Sequence, residues 1–179
     1  RQAALNLMDD ARAAQQAAES ALKELTKLSM AVEQSPESIV ITDLEPRIEY
    51  VNEAFLRATG YSRKEVIGQN PAVLHSGKTP PETYTSMWAA LTQGRVWAGE
   101  FHNRRKDGSE FIELATIAPV RQPDGTITNY VAVKEDITEK SQLAAELDRY
   151  RHHLEQLVAE RTDALEQARA EAETANRAK

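Results

Sequence analysis

The sequence contains no cysteine. That absence excludes a disulfide framework, thiolate metal sites and cysteine nucleophiles. Long apolar runs are missing too. No stretch approaches the roughly 18 residues that span a bilayer, and no signal-peptide pattern opens the chain. Basic residues do not dominate: 22 Lys and Arg stand against 28 Asp and Glu, for a formal net charge of −6. This balance argues against nucleic acid as the main partner. With 179 residues, 41% of them hydrophobic, the chain suits one domain with extensions.

Glycine and proline, seven of each, are confined to the middle. The prolines run from Pro36 to Pro123 and the glycines from Gly60 to Gly125. Both ends are rich in Ala, Glu, Gln, Leu and Arg, good helix formers with no breaker among them. The pattern predicts an N-terminal helix over 1–33, a compact domain over 34–138 and a second long helix over 139–179. In the first segment Ala4, Met8, Ala11, Ala18, Leu22, Leu25 and Val32 follow the 4-3 seam of a coiled coil, which Gln15 and Ser29 weaken. A single amphipathic helix packed on its own domain is the other reading. In the last segment Leu143, Leu147, Tyr150, Leu154, Val158, Arg161, Leu165, Ala168, Ala172 and Ala175 form the seam. Two consecutive four-residue steps, Tyr150 to Leu154 to Val158, make a stutter that locally unwinds a supercoil. Such a helix reaches about 60 Å, and a parallel homodimer is the simplest way to bury its stripe.

The middle segment reads as mixed. Strands are expected over 38–42, 48–51, 96–103, 110–120 and 127–135. Asn52 is a good N-cap for a helix that Gly60 ends, and Ser62 with Glu65 makes a capping box. A polar loop leads to Pro80, followed by a helix carrying Tyr84, Met87, Trp88 and Leu91. The order predicts an α+β fold: a five-stranded antiparallel sheet with helices on one face, flanked by long N- and C-terminal coiled-coil helices.

Catalytic machinery is hard to find. Ser76-Gly77-Lys78-Thr79 looks like the end of a phosphate loop, but Ala72 stands where its first glycine belongs and no strand precedes it. Glu100, Glu110 and Glu113 pair with no base or nucleophile in any motif and read as a solvated sheet face. His152 and His153 are adjacent and cannot chelate one metal at the i, i+4 spacing. His75 and His102 could each ligate haem in principle, although a lone histidine is more often a polar surface residue. Arg104-Arg105-Lys106 reads as a solvated loop. Tyr84, Trp88, Trp97, Phe101 and Phe55 read as core. Asn103 continues the inward Trp97–Phe101 face, where its amide needs a partner, either backbone or a bound heterocycle.

From about Val32 to Thr138 the chain resembles a PAS sensor domain. The resemblance rests on Ile41-Thr42-Asp43-Leu44, Ile48-Glu49-Tyr50-Val51-Asn52, and Gly60-Tyr61-Ser62 through Glu65 to Asn70. It continues with Trp97-x-Gly99-Glu100, Asn103-Arg104-Arg105-Lys106-Asp107-Gly108, Ala118-Pro119-Val120 and Asp136-Ile137-Thr138. Within the family it is most similar to the flavin-binding redox sensors. By that resemblance Trp88 matches a helix tryptophan beside the flavin and Asn103 a strand asparagine in its pocket. The implied FAD pocket comprises Trp88, Asn103, Asn70, Gln69, Phe101 and Tyr84. Two positions depart from the nitrogen-fixation sensor: Pro71 stands in place of an acid, and Val40 in place of a serine. The cysteine that light-sensing relatives use between Asn70 and Leu74 is absent, and no histidine matches the haem-ligand position of the oxygen sensors.

The tail, with Glu160-Arg161-Thr162, resembles the linker between PAS domains and histidine kinase cores, and Glu173 to Lys179 resembles the approach to a phosphoacceptor helix. The resemblance implies a non-enzymatic input fragment of a two-component, hybrid-type sensor histidine kinase. It would be cytoplasmic and bacterial, with the kinase core downstream in the parent chain and no membrane contact of its own. Pocket chemistry would bias the last strand, and Asp136-Ile137-Thr138 would pass that bias to the coiled coil. Flavin reduction would be answered by an amide flip at Asn103 or Gln69. The alternative is a cofactor-free PAS domain that binds a small metabolite, or only dimerises and relays signals from upstream.

Overall fold

The computed structural model describes residues 2–177, with side chains from Met8 onward. The Ala4 side chain and residues 178–179, named above, lie outside that range. The chain divides into two compact units, Arg1–Asp136 and Ile137–Lys179.

The first unit opens with α1 (Gln2–Glu33). Strands β1 (Ser38–Thr42) and β2 (Ile48–Val51) follow, then α2 (Glu53–Thr59), α3 (Arg63–Val66), a 3-10 turn (Pro71–Leu74) and α4 (Pro81–Thr92). Three longer strands complete it: β3 (Trp97–Arg104), β4 (Glu110–Arg121) and β5 (Ile127–Asp136). They form one antiparallel sheet in the order β2-β1-β5-β4-β3. The long β5 therefore lies at the centre and pairs with both β1 and β4.

Register decides which residues face inward, because side chains alternate along a strand and directly paired residues share a face. Phe101 lies opposite Glu113 and Asn103 opposite Phe111. Ala115 lies opposite Lys134 and Ile117 opposite Ala132. Val40 lies opposite Ala132 on one side and Val51 on the other. This face, with Phe55 of α2, Leu74 of the 3-10 turn, and Met87, Ala90 and Leu91 of α4, makes the core.

The caps act as the sequence predicts. Asn52 accepts the Phe55 N–H at 3.1 Å, and Gly60 closes α2 at φ 76°, a left-handed geometry that costs glycine little. Ser62 and Glu65 form the capping box of α3. The segment expected as plain loop holds the 3-10 turn instead. Pro71 suits a first turn, and Asn70 caps it by accepting the Ala72 N–H at 2.8 Å.

Asn52 also anchors the end of α1. Its oxygen accepts from Ile39 N as well, and its NH2 donates to Val32 O and Glu37 O, so all four hydrogen-bonding positions are used at complete burial. Glu33 pairs with Arg63 at 2.7 Å and accepts the Tyr50 hydroxyl. Burial and the Glu33 carboxylate push the Tyr50 phenol up to about 12. Asn52→Ala strands buried donors and acceptors at once, so a loss of about 2–4 kcal/mol is expected in urea unfolding. A change below about 1 kcal/mol would show that water replaces the amide there.

The second unit is α5 (Thr138–Arg177), on which no residue is buried. No helix of the described residues is long and apolar enough to cross a membrane.

Candidate functional site

Between the inward sheet face and the helices lies a cavity of about 390 Å³. Tyr84, Met87, Trp88 and Leu91 of α4 form one wall, and Val40, Thr42, Phe101, Ile117, Tyr130 and Ala132 of the sheet form another. Asn70, Pro71, Ala72 and His75 close a side, and Asn103 and Lys134 supply polar atoms from the sheet. The wall is aromatic and ordered by ring contacts. Tyr84 stacks on Phe101 at 5.6 Å and 24°. Trp88 meets Tyr130 edge to face at 5.9 Å, and His75 lies 4.7 Å from Tyr84. A small apolar pocket with a few convergent polar groups is the usual form of a small-molecule site.

Five of the six expected pocket residues therefore meet at one cavity: Trp88, Asn103, Asn70, Phe101 and Tyr84. Gln69 stands apart. It is exposed, and its backbone links the loop to β2 by accepting from Ile48 N at 2.9 Å. Trp97, read as core, is core: its indole N–H donates to Ser86 at 3.1 Å, and it does not line the cavity.

The polar end of the cavity differs most from expectation. Glu113 is not on a solvated face; it is 1% exposed. Its Oε2 accepts from Asn103 Nδ2 at 2.7 Å and from Lys134 Nζ at 2.9 Å. Lys134, itself 7% exposed, also lies 5.9 Å from the Phe101 ring centroid. The alternation Phe111-x-Glu113-x-Ala115-x-Ile117, together with Tyr130-x-Ala132-x-Lys134, carried the signal that both charges face inward. Asn103 Oδ1 is left as a buried side-chain polar atom with no partner among the described residues. Burial and the Lys134 charge hold the His75 imidazole below its ordinary value. Asn70 spends its oxygen on the Ala72 N–H, so its NH2 is the group it can offer.

The other candidates take structural places. Glu100 is exposed, and Glu110 pairs with Lys78 at 2.5 Å. The basic run is not simply solvated. Arg104 donates to Ser76 O at 3.1 Å, and Lys106 pairs with Glu65 at 2.6 Å. Arg105 donates to Ala58 O, pairs with Asp136 at 2.5 Å and lies over the Phe111 ring. Ser76 and Thr79 bind the His102 backbone, which gives that segment a strand-clamping role in place of a phosphate loop. His102 does not line the cavity, and His152 and His153 lie on the exposed surface of α5. Of the relay residues, Asp136 ends β5 and Thr138 begins α5, with Ile137 between them.

The cavity's residues fit a flavin-type ring: flat aromatic walls, donors at Lys134 and Asn70, and one unsatisfied acceptor at Asn103.

Comparison with known proteins agrees with the architecture. The nitrogen fixation regulatory protein of Klebsiella oxytoca is 41% identical over 107 residues, covering 60% of this chain and 22% of that protein. The light-oxygen-voltage domain of a blue-light activated histidine kinase from Erythrobacter litoralis superposes with a TM-score of 0.55 at 29% identity, covering 59% of this chain and 99% of that one. A second light-oxygen-voltage domain, solved to study a flavin analogue, gives a TM-score of 0.59 at 29% identity, covering 70% and 96%. The chain spans about a fifth of the length of the curated relatives it matches first. Residues 36–139 match the PAS domain, and because that match takes in the sheet and every helix around the cavity, the chain belongs to the PAS domain family.

Proposed function

We propose that this chain is the sensory input and relay module of a two-component histidine kinase of the hybrid type, sensing redox state through FAD held in the cavity. The orphaned acceptor of Asn103 inside an aromatic cavity carries this reading. A buried polar atom without a partner is costly, and a ligand edge would satisfy it. Trp88 and Tyr84 would cover the ring, Asn103 and Lys134 would bind its polar edge, and Asn70 would sit at the rim. When bound, a flavin supplies an oxidation state that alters the hydrogen-bonding character of its ring edge. Lys134 lies on β5, two residues before Asp136. A change at the cavity's polar end would therefore act on the strand that leads into Asp136-Ile137-Thr138. The module divides as 1–33, 34–138 and 139–179, works as a parallel homodimer through its helices, and passes its signal to a kinase core in the same parent chain. We assign it no catalytic step and no nucleic-acid partner.

Trp88→Ala tests the site. The lost apolar contact is worth about 1.5–3 kcal/mol, so FAD affinity should fall about tenfold or more. Equal flavin content in the variant and the parent would place the cofactor elsewhere. Normal signalling by a protein that never holds flavin, with loss of response in Trp88→Ala, would favour a small-metabolite sensor.

A further inference from the structure

The buried pair beside the cavity has a consequence for what the cavity can accept. An asparagine amide carries an acceptor at one end and two donors at the other, and only its surroundings decide which end faces where. Glu113 decides it here. Its Oε2 takes Asn103 Nδ2 at 2.7 Å, while Lys134 Nζ holds the same oxygen at 2.9 Å. Turning the amide over would set Asn103 Oδ1 against a carboxylate oxygen, both acceptors. All three side chains are at least nine-tenths buried. Register makes the arrangement rigid. Glu113 lies diagonally across from Asn103 on β3 and from Lys134 on β5, so one carboxylate spans the three neighbouring strands.

We propose that Glu113, pinned by Lys134, is a specificity-determining positioning residue: it fixes Asn103 with Oδ1 as the acceptor, so the ligand must bring an N–H donor edge to that point. The proposal rests on the flavin reading for the identity of that edge, the ring imide N–H. It also separates the amide from the flip expected of it. While the Glu113–Lys134 pair stands, Asn103 stays in one orientation, and a response must pass through Lys134 on β5.

The test has two readouts. In the free, isotope-labelled protein, the Asn103 side-chain amide is examined by NMR in the parent chain and in Glu113→Gln/Lys134→Met. Lys134, a donor only, would hold a glutamine oxygen where the carboxylate oxygen was, so both partners are changed: a glutamine relieved of the lysine can donate or accept, and it releases the orientation. One orientation in the parent and two in the variant support the proposal; two in the parent, or one in both, overturn it. The second readout is affinity for riboflavin against its N3-methyl analogue. The parent should prefer riboflavin by about tenfold or more, as a site built around one hydrogen bond does. The double variant should lower that preference to about threefold or less, because its freed amide can turn. A methyl group excluded by size alone is excluded by both proteins, so undiminished preference in the variant overturns the proposal. Binding of neither probe overturns the flavin reading, and the amide orientation then decides the role of Glu113 by itself. The double substitution leaves no unpaired buried charge; if it does not fold, Glu113→Leu/Lys134→Met removes the acceptor that orients the amide and carries the same expectations.

Discussion

Glu113→Ala is expected to cost about 3–5 kcal/mol of stability, among the largest effects of any single substitution in this domain. The reason is asymmetry. A buried ion pair is worth little against a well-packed apolar pair, because desolvation of two charges offsets their attraction. Removing one partner leaves the other charge buried with no counter-charge. Lys134 is 7% exposed, and its close anionic partner is Glu113 at 2.9 Å. The same substitution strips Asn103 Nδ2 of its acceptor at 2.7 Å. A domain of this size has about 5–15 kcal/mol in total, so the variant should unfold at far lower urea. Glu113→Ala/Lys134→Met should recover much of the loss, since it removes both charges. Urea unfolding of the three proteins reads the difference. A loss below about 1 kcal/mol in Glu113→Ala would mean that water reaches Lys134 and that the pair is not sealed.

Leu147→Asp/Leu154→Asp is expected to weaken self-association by at least about 100-fold. On α5 the seam positions Leu143, Leu147, Tyr150, Leu154, Val158 and Leu165 are 59–70% exposed. Together they form an apolar stripe along a helix of 40 residues, with charged residues around the rest of the surface. Burying each leucine against a second copy contributes about 1.5–3 kcal/mol, and each substitution acts twice in a symmetric dimer. An aspartate in the seam adds the cost of a buried charge. Sedimentation equilibrium over a range of concentrations separates the outcomes. The parent should be a dimer and the variant a monomer at the same concentration. A dimeric variant would move the interface off this stripe, and a monomeric parent would remove the dimer altogether.

Much of the fold was legible because its signals are local. Asn52, Gly60, Ser62 and Glu65 act within one turn of chain, and their cap geometry needs no distant partner. The strands showed through alternation and through the turns at Asp107-Gly108 and Asp124-Gly125. Asn103 was legible as an inward amide in need of a partner, because Trp97 and Phe101 set the parity of β3. The polar end of the site was not legible from one segment. Glu113 and Lys134 are 21 residues apart, and they meet only because the register sets Ala115 opposite Lys134. The parity of each strand turns its charge inward, but that the two charges meet is known only from that pairing. The basic run misled in the same way: its partners Ala58, Glu65, Ser76 and Asp136 come from four separate places in the chain. Gln69 was placed in the pocket by resemblance, but the capped turn that Asn70 begins turns the chain, and Asn70 lines the cavity while Gln69 does not.

The most direct test is the visible absorption spectrum of freshly purified protein, before and after dithionite. The proposal that the cavity holds FAD predicts flavin bands that bleach on reduction, and a chromophore released by denaturation that is identified as FAD. A Soret band, or a spectrum that stays featureless after incubation with FAD and desalting, would contradict it.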